Sequence, residues 1–252
     1  MSAVPGETPY ARVKALMARL RQDCPWDSTQ SFETIAPYTI EEAYEVADAI
    51  ERQDMASLRD ELGDLLFQVL FHSILAEEQG AFDMDDVCDG LVEKMVRRHP
   101  DVYAGAEKPD WDAIKAQERE GKADDRILSG VAKALPALMR AEKLGKRASK
   151  VGFDWPDMNG VFEKVEEELG EVREAVKSGD ADAIEDEIGD LLFAVTNIAR
   201  KAGVDPEAAL RRTNLKFTQR FNHVEDNSPK ALKDMSLDEM EELWVAAKTA
   251  DL

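Results

Sequence analysis

Glu42 and Glu45 stand three residues apart, and so do Glu61 and Asp64. On a helix that spacing puts both members of a pair on one face. The distance between the pairs matters more. Six residues separate Glu45 from a helix end expected near Glu51, and six separate Met55, where the next helix should begin, from Glu61. Each leg covers about 9 Å at the helical rise per residue, so an antiparallel hairpin brings the two pairs level. Four carboxylates then converge at the edge of an apolar core, beside Ile40, Ala43, Leu62 and Leu65. Like charges are poorly screened there, and a bound divalent cation relieves the repulsion. All-oxygen ligation suits Mg²⁺, with Mn²⁺ as the alternative, and not zinc.

One Glu-x-x-Glu by itself is an ordinary charged helix face. Here the constellation occurs twice. Residues 39–67 and 165–193 align without a gap at an offset of 126 residues, so that Glu168, Glu171, Glu187 and Asp190 repeat Glu42, Glu45, Glu61 and Asp64. The stretch Gly63 to Phe67 is identical to Gly189 to Phe193. Duplication of one module is the economical explanation.

The elements that must position these acids read as helical hairpins. In the first copy Ile40, Ala43, Tyr44, Ala47 and Ile50 recur at helical spacing, the polar break Arg52-Gln53-Asp54 follows, and a longer helix carries Leu58, Leu62, Leu65, Leu66, Val69 and Leu70. In the second copy the break is Ser178-Gly179-Asp180, followed by Ile184, Ile188, Leu191, Leu192, Val195 and Ile198. β signals are sparse, so the fold class is all-α. Phe67 and Phe71 lie off the Leu62–Leu65–Val69 stripe. A lone hairpin cannot cover that much apolar surface, which implies four-helix packing against the other copy or a second chain. Between the copies, Ala104 to Ser129 is rich in Gly, Pro, Asp and Lys, with a short helical stretch from Trp111 to Glu120. The domains are accordingly expected at 1–128 and 129–252. Pro136 to Ser149 reads as a basic helix leading into the second module, and Asp205-Pro206 as another helix start.

The formal net charge of −21, with 44% hydrophobic residues, suits a soluble globular chain that nucleic acid would repel. No run approaches the length of a membrane span. The N-terminus has no signal-peptide pattern, and Cys24 and Cys88 form no disulfide framework, so a cytoplasmic location is expected. There is no G-x-x-x-x-G-K-[ST] loop, and His72, His99 and His223 have no metal spacing. Lys216 and Arg220 are four apart, on one helix face, where they could neutralise phosphate or be a solvated basic face. Trp244 could stack on a base or dock in the core. Trp26 and Trp155 are expected in the core, and His72 to be a packed histidine.

The constellation E-E-x-x-E followed by E-x-G-D-L-L-F resembles the MazG family of nucleoside triphosphate pyrophosphohydrolases, in its two-module form. Further motifs extend the resemblance over nearly the whole chain: Leu20 to Asp27 and Ile35 to Thr39 at the start, Arg97-Arg98-His99-Pro100 at the end of the first module, Val151-Gly152-Phe153-Asp154-Trp155 at the start of the second, and Lys216-Phe217 with Arg220-Phe221 near its end. The resemblance implies a dimer of four-helix type and Mg²⁺-dependent hydrolysis of nucleoside triphosphates to monophosphate and pyrophosphate, with broad specificity. It carries the metal role to Glu42, Glu45, Glu61 and Asp64 and to Glu168, Glu171, Glu187 and Asp190, with the second set catalytic. It carries substrate contacts to Lys216, Arg220 and Trp244. Some members have a lysine one turn before the second motif's Glu, where this chain has Ser57 and Ala183. The alternatives are a narrower dUTP- or dCTP-preferring pyrophosphatase and a non-enzymatic acidic interaction protein. A mimic of nucleic-acid charge would spread its acids, whereas this chain focuses them at two matching places.

Overall fold

The computed structural model describes residues 4, 6–105, 114 and 126–250. The helical stretch expected from Trp111 to Glu120 lies outside them, Ile114 aside. The chain divides into two compact units, Met1–Glu118 and Arg119–Leu252. Among the described residues there are helices and no strand, in keeping with the all-α expectation.

The first unit is built on a hairpin of α2 (Phe32–Glu51) and α3 (Met55–Glu78). Its start is set by a reciprocal cap. The Ser31 side chain accepts from the Thr34 N–H, and Thr34 accepts from the Ser31 N–H. In the turn, Gln53 adopts φ 56°, and Asp54 caps α3 through the N–H groups of Ala56 and Ser57. α1 (Pro9–Asp23) packs on α3. Met17, Ile35, Leu70, Phe71 and Leu75 form the core there, with Val13, Phe32, Phe67, Ile74 and Met84 against it. Side chains of this size contribute about 2 kcal/mol each when fully buried. Arg21 fastens the connection, donating to both carboxylate oxygens of Glu78 (2.7 and 2.9 Å) and to the carbonyls of Asp27 and Gln30. α4 (Met84–Arg98) and the short α5 (Pro100–Tyr103) complete the unit.

The second unit repeats the hairpin with α7 (Met158–Ser178) and α8 (Ala181–Ala202). Gly179, at the position of Gln53, is also left-handed (φ 73°), and Asp180 caps α8 as Asp54 caps α3. The duplication therefore extends to backbone conformation: only glycine takes that region without a steric penalty, and the first copy tolerates glutamine there. Val161 and Ala175, inside the hairpin, are buried like their counterparts Ile35 and Ala49. α6 (Ala137–Ser149) packs on α8, and α9 (Pro206–Asp226), capped by Asp205 with Pro206 in its first turn, packs against α10 (Leu237–Thr249). α6 approaches closely because of Gly145, where a Cβ would meet Asn197 Oδ1 at 2.8 Å.

Two aromatic expectations divide. Trp155 is half-buried against Gly160. Trp26, expected in the core, is 46% exposed and sits edge-on to Tyr38 at 5.9 Å. Residue size predicted burial, but the short loop before α2 leaves nothing to cover that ring. His72 is packed as expected, stacked on Phe32 and hydrogen-bonded to Thr39 at 2.9 Å. Burial lowers its pKa.

The loop leading into α7 is held by charge. Arg200 donates to both oxygens of Asp154 (3.1 and 2.7 Å), and Lys201 donates to the Trp155 carbonyl at 2.6 Å. The Arg200 guanidinium holds the Asp154 carboxyl down to about 2, against a usual 3.8. A depressed carboxyl contributes stability that is present above its unfolded pKa and lost as pH falls through its folded one. Asp154→Asn should therefore lower stability at neutral pH. Urea unfolding of the two proteins at several pH values should show the gap closing between about pH 4 and 2.

Candidate metal centre

In the first unit, one carboxylate oxygen from each of Glu42, Glu45 and Glu61 lies within 4.8 Å of the others. In the second, Glu168, Glu171 and Glu187 form the same triangle within the same limit. The hairpin produces this from its turn: the Asp54 and Asp180 caps set where α3 and α8 begin, and the equal legs then bring Glu61 level with Glu45 and Glu187 level with Glu171. The fourth acids, Asp64 and Asp190, are exposed and stand outside the triangles. Three residues on from Glu61 and Glu187, each is turned by about 60° about its helix axis. Asp64 is nevertheless near enough for its charge to act on Glu42.

The electrostatics follow from this crowding. Desolvation, then the charges of Asp64, Glu45, Glu61 and Glu41, raise the pKa of Glu42 above its usual 4.5. Desolvation and Glu45 do the same for Glu61. Glu171 is raised by its hydrogen-bonding proximity to Glu168, then by burial and the charges of Glu168 and Glu187, with Lys164 opposing.

Glu168 tests whether these residues fit a cation. It is only 4% exposed. Its Oε1 accepts an ion pair from Lys164 Nζ at 2.6 Å, while Oε2 is buried with no partner in the protein. An orphaned buried oxygen costs about 1–3 kcal/mol, more when charged. Glu168, Glu171 and Glu187 together offer three hard oxygen donors, the donor set of a hard divalent cation. The residues fit.

The remaining residues singled out from the sequence sit on α9 and α10. Lys216, Arg220 and Trp244 are half-buried. Trp244 belongs to an aromatic cluster, with its ring 5.1 Å from Phe217, which stacks on Phe221 at 6.1 Å. Counted from the helix caps Asp205 and Asp83, Lys216 and Arg220 hold the same positions on α9 as Lys94 and Arg98 hold on α4. Lys164 was not singled out from the sequence as a site residue. The signal was its i,i+4 spacing to Glu168, which looks like any helix-surface pair until Glu168 is seen to be buried.

The sequence profile of the MazG nucleotide pyrophosphohydrolase domain matches the chain twice, at residues 30–103 and 159–225. Each match contains one complete carboxylate triangle. The chain belongs to the MazG family. It is 44% identical to the nucleoside triphosphate pyrophosphohydrolase of Escherichia coli K12, with 96% of this chain and 97% of that protein covered. It is 41% identical to the nucleoside triphosphate pyrophosphohydrolase/pyrophosphatase MazG of Thermotoga maritima, with 96% of each chain covered. A nucleoside triphosphate pyrophosphohydrolase of Mycobacterium tuberculosis is 34% identical over 84% of this chain and 56% of its own length. The two MazG modules thus coincide with the two hairpins that the duplication marks out.

Protons and cations compete for the triangles, and the sign of that competition is fixed by the raised carboxyls. Protonating Glu42, Glu61 and Glu171 relieves repulsion in the metal-free protein, so that form gains stability from these groups as pH falls through their raised pKa values. Metal relieves the same repulsion only when they are ionised. Millimolar Mg²⁺ or Mn²⁺ should raise the melting temperature at neutral pH, and the increment should vanish as pH falls towards the usual glutamate value of 4.5. Thermal melts with and without metal across that range check it. Indifference to metal at neutral pH would count against a site in either module.

Proposed function

We propose that this MazG protein hydrolyses nucleoside triphosphates to nucleoside monophosphate and pyrophosphate with Mg²⁺, Mn²⁺ substituting, and that it accepts a broad range of bases. The observation that carries the reading is the buried, unpartnered Oε2 of Glu168, a member of the second carboxylate triangle. An acidic interaction surface has no use for such an atom. In this reading Glu168, Glu171, Glu187 and Asp190 hold the cation in the second module, and Glu42, Glu45, Glu61 and Asp64 hold one in the first. When bound, Mg²⁺ supplies positive charge to the phosphoryl oxygens and acidifies a coordinated water.

The chain's own residues do the rest. The glutamates orient the attacking water. A carboxylate of the set takes its proton. Water oxygen bonds to phosphorus, and the bond to the bridging oxygen breaks to release pyrophosphate. Lys216 and Arg220, on one face of α9, neutralise that leaving group, and Trp244 offers its ring to the base. A cytoplasmic location, among free nucleotides, belongs to the same reading. No helix among the described residues is long and apolar enough to cross a membrane. The direct test is a nucleotide panel with Mg²⁺ in which pyrophosphate and orthophosphate are measured separately. Release of orthophosphate alone, or none of either, defeats the reading, and activity confined to dUTP or dCTP replaces broad specificity with narrow.

Both modules hold a triangle, but only the second has a buried ligand oxygen without a partner. Glu187→Gln or Asp190→Asn should therefore lower steady-state pyrophosphate release on the order of 10²-fold or more, by analogy with loss of one charge-stabilising group, and Glu61→Gln should lower it less. The reverse pattern would assign the chemistry to the first module.

The reading also includes a homodimer. Ile50, Leu62, Leu66 and Val69 are exposed on the first hairpin, and so are their counterparts Val176, Ile188, Leu192 and Val195 on the second. Apolar faces repeated at equivalent positions are what a four-helix pairing of like modules would cover. Light scattering at micromolar concentration should return twice the mass of the chain, and a strict monomer would rule this out.

A further inference from the structure

In the second module Lys164 ties a surface carboxylate to a buried one. It reaches down α7 by one turn and bridges two carboxylates, Glu167 Oε1 at 2.7 Å and Glu168 Oε1 at 2.6 Å. Glu167 is at the surface, with its side chain 58% exposed, whereas the side chain of Glu168 is 5% exposed. The ammonium therefore joins a surface acid to a buried one. It occupies one oxygen of Glu168 and leaves the other buried and without a partner.

We infer that Lys164 is a positioning residue of the second module's metal centre, holding Glu168 by one oxygen so that the other is presented to the cation. The inference rests on the metal-centre reading above. A glutamate has three rotatable bonds, and fixing it at the moment of metal binding costs rotamer freedom. Held in advance, Glu168 has little of that freedom left to lose. A lysine beside a cation site would ordinarily oppose the metal by its charge. Here Glu167 shares the ammonium, so the Lys164–Glu167 pair is neutral as a unit and the orienting effect remains.

The first module supplies the contrast. Glu41 and Glu42 stand where Glu167 and Glu168 stand, but Tyr38 occupies the position of Lys164. The Tyr38 ring lies edge-on to Trp26. Glu42 is correspondingly less buried than Glu168. The two modules keep one donor set and differ in whether its most buried member is held.

Mn²⁺ binding, followed as loss of the free-ion electron paramagnetic resonance signal, reads this without catalysis. A Glu61→Gln background removes a ligand from the first triangle, so that the second module dominates the titration. Adding Lys164→Met should weaken Mn²⁺ binding about 10–100-fold, the usual cost of losing a group that orients a ligand. Lys164→Arg, which keeps the charge and the reach, should recover most of it. The reciprocal variant needs no buried change: Tyr38→Lys, at an exposed position and in a Glu187→Gln background, should tighten binding to the first module. Unchanged or tighter binding by Lys164→Met would overturn the inference and leave the metal centre standing, as would an Arg variant no better than Met. If the Met variant does not fold, Tyr38→Lys decides: unchanged or weaker binding there also overturns it. Failure of the wild-type chain itself to bind Mn²⁺ would remove the metal centre and the inference together.

Discussion

Three carboxylates held within 4.8 Å of one another repel, and each hairpin has to hold them there against that repulsion. The constraint accounts for features well away from the acids. Asp54 and Asp180 cap α3 and α8 because an error in where those helices begin would shift Glu61 and Glu187 off level with their partners. Small residues line the inside of the hairpin, at Ala49 and Ala175, because two helices that must bring side chains together cannot be held apart by bulk. The left-handed turn residue just before the cap completes the reversal at both places, even where it has to be Gln53. Side chains this close in a partly desolvated setting also store a preference for a cation, which is how a stability cost becomes a binding site.

Much of this was legible in the sequence, for a physical reason. A gapless offset of 126 residues over acids, turn and apolar positions left only one way to superpose the copies. Helical rise then placed the carboxylates level without knowledge of the rest of the fold. The helix start at Asp205-Pro206 was readable because capping is local chemistry. What stayed hidden depends on contacts between elements. Trp26 is large and apolar, but exposure is decided by whether another element covers it. The difference between Asp190 and its three companions is an angle about the helix axis, which the pattern E-x-x-D records only coarsely. The part played by Lys164 turns on the burial of Glu168, and burial is a property of the packed hairpin.

The modules diverged where the hairpin meets its neighbours. Phe71, Ile74 and Leu75 in the last turns of α3 correspond to Asn197, Arg200 and Lys201 in α8. The first set packs against α1 in a hydrophobic core. The second set makes polar contacts: Asn197 accepts from Arg200 and donates to the Phe193 carbonyl, Arg200 forks onto Asp154, and Lys201 bonds Trp155. The bonds that Arg200 makes to Asp154 and Lys201 to the Trp155 carbonyl are charge-assisted. They also order the loop from which α7 starts, because Asp154 lies three residues before the cap at Asp157.

That exchange bears on the two sites directly. In the first module the element before the hairpin is positioned by burial in the hydrophobic core and by the bidentate Arg21–Glu78 ion pair. In the second it is positioned by a bidentate ion pair and a close approach at Gly145, both of which depend on angle and distance. Both modules thus fasten the element before the hairpin with a bidentate arginine–carboxylate pair, Arg21–Glu78 in the first and Arg200–Asp154 in the second. A site that must present one oxygen to a cation benefits from a rigid base, because orientation gained at the carboxylate is lost if the helix bearing it can rock. The same duplication that copied the acids left room for the two modules to differ in whether a lysine holds the most buried of them.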